Sequence, residues 1–260
     1  MISVFDNPVV FNSIQVEETY PINGNQSGLS CNLQISFVFP DSSQSEQLTE
    51  AIQAIFIEKM YGDSFISLSP QKATENYTQQ YMEAFKQFKS AIHEDQETYE
   101  LENKYADETG YAYYTRLKNA VVFNQNNFIS FSVESLVYEG GAHSSQNIDG
   151  YVLNLETGLL LQEEDFAGAY YRNNVSKILA QKIAKNNDLT NPADLENLGY
   201  NRAEDIVPNN NFTIDKKGIT YYFNENEIAG TMVGLTKVFI PYEEINIYMK
   251  KDSPISSLSN

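Results

Sequence analysis

The residue types in this chain that could carry chemistry gather in one segment, Tyr138-Glu139-Gly140-Gly141-Ala142-His143, followed by Ser144 and Ser145. A histidine beside hydroxyls is the raw material of nucleophilic catalysis, in which the imidazole takes the hydroxyl proton and a third group orients the imidazole. Adjacent residues of an extended strand point to opposite faces, so His143 does not pair with Ser144 by position alone, and no orienting group stands out. Zinc needs three or four ligands, and His93, His143 and Cys31 would have to recruit carboxylates at no recognisable spacing. With 35 acidic residues, any carboxylate pair can be proposed for glycoside hydrolysis and none preferred. Glu163-Glu164-Asp165 lacks the spaced oxygens of a calcium loop, and glycine-rich phosphate loops are absent. The expectation is therefore no catalytic constellation, no metal and no cofactor.

The same segment has a structural reading. Gly140 and Gly141 allow positive φ or a bulge, which would bend the strand and re-aim His143. Tyrosines that pack and a histidine hydrogen-bonded in place would account for the remainder, so His143 stands as either a structural group or a binding group.

The elements that must position these residues follow from periodicity. Leu29, Cys31, Leu33, Ile35, Phe37 and Phe39 alternate with polar neighbours, which puts Cys31 on the apolar face of a strand as a core thiol. That strand pairs with one ending at Tyr20-Pro21, across Asn23-Gly24-Asn25. Leu48, Ile52, Ile55 and Phe56 predict a helix, and so do Ala73, Tyr77, Tyr81, Ala84, Phe85, Phe88 and Ile92. Ser69-Pro70 opens the second helix, and its tyrosine stripe reads as a core face. From His93 to Glu108 the chain is acidic, either a solvated helix end and loop or an acidic docking surface.

Strands then run from Tyr111 to Phe123 and from Ile129 to Val137 around a polar turn, and the second enters the double glycine. Further hairpins surround Glu156-Thr157-Gly158 and Asp215-Lys216-Lys217-Gly218, and a strand from Lys237 ends at Pro241. A third helix carries Tyr171, Val175, Ile178, Leu179 and Ile183, with Glu163-Glu164-Asp165 at its start. Residues 184 to 211 read as loop. Strands and helices in runs imply an α+β fold, with antiparallel sheets, helices packed on one face and two closely associated subdomains.

At 260 residues the chain builds a core without disulfide or metal, and its single cysteine cannot make an internal disulfide. A net charge of -18 repels phosphate backbones, so nucleic acid is not expected as a partner, whereas a cationic partner would be steered in. No stretch is apolar enough for a transmembrane helix, and the N-terminus has no signal-peptide pattern.

The order of features resembles a pair of bacterial extracytoplasmic domains of unknown function. The resemblance rests on Tyr20-Pro21, Tyr138 to His143, Leu155-Glu156-Thr157-Gly158, Glu164-Asp165-Phe166, Phe223 to Ala229 and Ile240-Pro241-Tyr242. Such domains form the lysozyme-binding sensor of the RsiV anti-sigma family and the non-catalytic N-terminal region of PdaC peptidoglycan deacetylases. This chain departs in having Asn226 where a tyrosine is usual, and Gly230-Thr231-Met232 in place of an aromatic loop.

The resemblance implies an N-terminal segment (1–13), a PdaC-like subdomain (14–150), an RsiV-like subdomain (151–250) and a frayed tail (251–260). It implies a non-enzymatic recognition domain of the periplasm or cell surface, with the targeting segment absent and a lipid anchor on a preceding cysteine as one attachment. The expected partner is a basic protein such as lysozyme or a cell-envelope component, and the candidate ligand-binding residues are Tyr138, Glu139, His143, Glu227 and Tyr242. The rivals are a cell-wall glycan or peptide hydrolase and a structural module of a surface assembly.

Overall fold

The computed structural model describes residues 9–21, 30–92, 113–139 and 143–258, with the side chains of 88–92 excepted. Among the described residues the chain divides into two compact units: 9–120 with 133–145, and 121–132 with 146 onward. The division is not a single cut, because one hairpin contributes its base to the first unit and its tip to the second.

In the first unit, β1 (Val10–Pro21) pairs antiparallel with β2 (Ser30–Ser42), Ile14 facing Phe37 and Tyr20 facing Cys31. Next come α1 (Glu46–Tyr61) and α2 (Pro70–Ile92), then β3 (Tyr113–Gln125) and β4 (Phe128–Tyr138). The expected α+β class holds, but β2 pairs parallel with β3, Cys31 facing Tyr113 and Ile35 facing Leu117. The two intervening helices make this possible, because parallel neighbours need a crossover far longer than a hairpin turn.

Helix α1 starts where Ser45 Oγ accepts from the Leu48 amide (3.2 Å). It ends at Gly62, whose φ of 98° no β-carbon tolerates well. Its Ile52, Phe56, Ile57 and Met60 are buried, as are Leu33, Ile35, Phe37 and Phe39 of β2. Pro70 opens α2, and Tyr61 and Thr74 share a hydrogen bond of 2.8 Å between hydroxyls. The β3–β4 connection is two residues, Asn126 (φ 53°) and Asn127 (φ 62°), a left-handed pair that matches the twist of a tight hairpin.

In the second unit, β5 (Ser145–Asn154) pairs antiparallel with β6 (Leu159–Leu160) around Gly158 (φ 71°). A separate sheet has the order β7 (Phe212–Ile214), β8 (Gly218–Phe223), β9 (Thr236–Pro241), all antiparallel. Helix α3 (Tyr171–Asn186) buries Tyr171, Val175, Leu179 and Ile183 in the same core as Phe212, Tyr221, Phe223, Val238 and Ile240.

Three expectations are corrected here. Glu163-Glu164-Asp165 does not start the third helix: Glu163–Phe166 is a helical turn of its own, Asp165 accepting from the Gln162 amide (2.7 Å). The first turn of α3 consequently carries no acid. The stretch 184 to 211 is not plain loop. It holds 3-10 segments at Pro192–Leu198, where Asn191 caps the Ala193 amide at 3.1 Å, and at Ala203–Asp205, with Leu195 and Ile206 fully buried. The tail does not fray over its described part: Ser253, Ile255 and Leu258 are buried, because the two apolar residues fill the core of this unit.

One buried acid sits in this core. Glu163 accepts from the Asn210 amide (2.9 Å) while its own amide donates to Asn210 Oδ1 (2.7 Å), which clips the loop before β7 to the helical turn. Burial raises the Glu163 pKa, opposed by the Asn210 and Tyr221 hydrogen bonds and the charge of Arg172. A raised native pKa means that the folded state holds the proton more tightly, so the contribution is full below the unfolded carboxyl pKa and fades as pH climbs through the native value. Urea unfolding of wild type and Glu163→Gln across pH 4 to 8 should therefore show the wild type losing stability relative to the variant as pH rises. A relative gain with pH would contradict the raised pKa.

Candidate ligand-binding pocket

On β2 and β3 of the first unit, odd-numbered residues face the helices: Cys31 lies beside Tyr113 and Leu33 beside Thr115. Helix α2 brings Tyr81, Ala84 and Phe85, spaced one turn apart, over this end of the strands. Phe85 lies edge-on to Tyr113 (centroids 5.4 Å apart) and to Tyr20 (6.1 Å), while Tyr81 stacks on Tyr77 at 6.5 Å. Cys31, fully buried, packs with Phe85 and Tyr113 in a small core cluster. Lys86 Nζ stands 5.1 Å from the centre of the Tyr20 ring.

These residues enclose a pocket of about 310 Å³ lined by Tyr81, Ala84, Phe85, Tyr113 and Glu139. Glu139 follows directly on β4. It is exposed, and its carboxylate has no hydrogen-bond or ion-pair partner among the described residues. The Tyr81 hydroxyl is committed to Thr115 Oγ1 (2.7 Å) and receives the Cys31 thiol at 3.8 Å. Burial raises the Tyr81 pKa, so it stays a neutral phenol near pH 7.

Aromatic faces beside an unpartnered carboxylate suit a cationic group, which the rings attract by their quadrupole and the carboxylate by charge. The same set suits a hydroxyl-rich group. As a reaction centre it offers no free nucleophile among the described residues, since the Cys31 thiol is buried and the Tyr81 phenol is hydrogen-bonded. Among the described residues no group of three or more His, Cys, Asp or Glu could hold a metal ion.

The five candidate residues fall in different surroundings. Glu139 lines the pocket. Tyr138, its neighbour in the strand, is buried and stacks on Tyr114 (5.4 Å, 24°), whose other ring contact is the Arg116 guanidinium at 5.1 Å. On the face that holds Tyr138, Lys118 also pairs with Glu134 at 3.0 Å. His143 is exposed and makes no hydrogen bond among the described residues, so none of their carboxylates stands within the hydrogen-bond reach of about 2.6–3.2 Å that a hydrolase built on His143 would need. Gly140 and Gly141, like the acidic run from His93 to Glu108, lie outside the described residues.

Glu227 and Tyr242 belong to the second unit. Glu227 is exposed and accepts from Asn209 Nδ2 (2.9 Å), which also donates to the Tyr222 carbonyl (2.9 Å), so it anchors a loop. Tyr242 is not available as a surface ligand group: it is 4% exposed and packed in the core. The departure at Asn226 has a backbone reason, since its φ of 66° is one that asparagine adopts far more readily than tyrosine.

The aromatic walls were legible as a helical stripe, although their spacing reads as core. The available signal was chemical: tyrosine in place of leucine keeps a polar tip and marks a stripe whose end stays partly wet.

Known families match both parts of the chain. Residues 33–146 match the family described as deacetylase PdaC, and residues 163–243 match protein of unknown function DUF3298. The fold is that of a DUF3298 family member from Bacteroides fragilis, 26% identical, with a TM-score of 0.82 over 98% of this chain and 99% of that one. A DUF3298 family protein from Pseudomonas aeruginosa, 15% identical, shares the fold with a TM-score of 0.62 over 95% and 96%. No curated protein matches the chain. Among the described residues no helix is long and apolar enough to cross a membrane. The pocket residues Tyr81 to Glu139 thus lie within the PdaC match and Glu227 and Tyr242 within the DUF3298 match, and the chain joins a segment similar to PdaC to a segment similar to DUF3298 in an α+β fold.

Proposed function

We propose that this chain is a non-enzymatic recognition domain of the cell envelope, whose pocket at Tyr81, Phe85, Tyr113 and Glu139 receives a cationic side chain of a basic partner protein, lysozyme being the first to test. The observation that carries this reading is the unpartnered Glu139 carboxylate at the mouth of an aromatic pocket. A net charge of -18 adds to it, because opposite charge speeds encounter with a basic protein and disfavours acidic ones.

Titration calorimetry against lysozyme at low and moderate salt is the direct test. Binding should weaken with salt, since the exposed part of the attraction is screened beyond roughly 8 Å. Glu139→Gln should cost about five- to tenfold in affinity, or about 1 to 1.4 kcal/mol. Tyr81→Phe, which keeps the ring, should bind as wild type. No heat at either salt removes lysozyme as the partner. Equal affinity of wild type and Glu139→Gln removes this pocket as the place of contact.

A further inference from the structure

We propose a second binding site, for a small oxyanion such as a sugar carboxylate or sugar phosphate, in the groove between α3 and the 3-10 segments of the second unit. This goes beyond the reading above, because it uses residues 172 to 207 and a ligand of opposite charge. The groove has a volume of about 560 Å³, within the range of small-molecule sites.

One wall is a single face of α3, on which Arg172, Asn173, Ser176, Lys177 and Gln181 recur at helical spacing. The other includes Pro192, Ala203 and Glu204. Side-chain donors predominate: two cations, two amides and a hydroxyl face one acid, and that acid is drawn toward Arg202 (3.4 Å). Neither Arg172 nor Lys177 has a carboxylate within ion-pair distance among the described residues. Arg172 Nη1 donates to the Pro208 carbonyl (3.2 Å), which holds the guanidinium at the groove and leaves other N–H groups to donate. The buried Glu163 also feels its charge.

Ser176 is the independent sign. It is 8% exposed, it lines the groove, and its Oγ is buried without a hydrogen-bond partner. A buried hydroxyl left unpaired costs about 1–3 kcal/mol, and such groups are rare in native proteins unless a ligand or water completes them. The start of α3 reinforces the preference for an anion: its first turn bears no acid and Tyr170 provides no side-chain cap, so the positive end of the helix dipole is uncompensated beside Arg172 and Asn173. An oxyanion is the ligand class that accepts from a guanidinium, an ammonium, amides and a hydroxyl together. In a chain of net charge -18, two cations on one groove with no carboxylate within ion-pair distance among the described residues favour an anionic ligand.

The test titrates the whole chain with glucuronate, glucose 6-phosphate and glucose, reading heat and the chemical shifts of α3 amides. One or both anions should bind with a Kd of about 1 mM or tighter, whereas glucose should not bind, and the tighter anion identifies the carboxylate or the phosphate as the preferred group. Arg172→Gln with Lys177→Gln should weaken anion binding about tenfold or more. Ser176→Ala should weaken it about threefold without lowering the thermal midpoint, since an unpaired hydroxyl is removed. Absence of binding by either anion, equal binding of glucose, or undiminished binding by the double variant would overturn the proposal.

Discussion

Phe166→Ala is expected to lower the unfolding free energy of the second unit by about 3–5 kcal/mol. Phe166 is fully buried and meets Tyr171 edge-on (5.5 Å, 85°) and Phe212 edge-on (5.5 Å, 82°), so truncation removes both ring contacts and leaves a cavity between a helix and a sheet. Its backbone carbonyl accepts from the Lys250 amide (2.8 Å), and the next residue bridges to Met249. Loss of the ring would thus loosen the docked tail as well. Equilibrium urea unfolding followed by tyrosine fluorescence measures this in a chain without tryptophan. A loss below about 1 kcal/mol would mean that the neighbouring rings collapse into the space, which well-packed interiors seldom permit.

Gly150→Ala is expected to cost about 3 kcal/mol, at the upper end of overpacking effects. A β-carbon at Gly150 would lie 2.5 Å from both the carbonyl carbon and the oxygen of Phe212, where backbone and not a flexible side chain must give way. The approach is close because Asn211 laces β5 to the start of β7: its Oδ1 accepts from the Gly150 amide and its Nδ2 donates to the Ile148 carbonyl, each at 2.7 Å. Gly230→Ala is the matched control. No atom lies within 4 Å of a β-carbon there and its φ is not in the left-handed region, so its change should stay within about 0.5 kcal/mol. Midpoints that coincide for the two variants would show that β5 can move away from β7 at little cost.

Much of the fold follows from local pattern. The alternation from Cys31 to Phe39, the helical stripes at Ile52 and Tyr77, and the Asn126-Asn127 turn all act through nearest neighbours along the chain. So do the Glu156-Thr157-Gly158 and Asp215 to Gly218 hairpins, and their elements form in place. The parallel pairing of β2 with β3 was not legible, because which strands meet after two helices depends on which faces the helices cover. Nor was the docking of Ile255 and Leu258, whose short apolar signal resembles any loose tail until a core with room for it exists.

The candidate site divides along the same line. Glu139 was readable as a candidate because an acid next to a glycine pair at a strand end is exposed by its type and place. Tyr81, Phe85 and Tyr113 were visible only as packing residues, since spacing specifies a face and not what stands at its edge. Tyr242 was misread because a tyrosine after Ile240-Pro241 is equally suited to surface and core, and only the three-dimensional contacts show it buried.

By itself the sequence determined the acidic charge, the α+β class and the cysteine as a core thiol, for these depend on composition and periodicity alone, while the resemblance to PdaC and DUF3298 came from the order of particular motifs. The tertiary structure decided that Glu139 closes an aromatic pocket, that Tyr138 faces away from it and that Ser176 lies unpaired beside Arg172 and Lys177. The physical reason is that a pocket is made by residues distant in sequence, and their convergence is settled by packing.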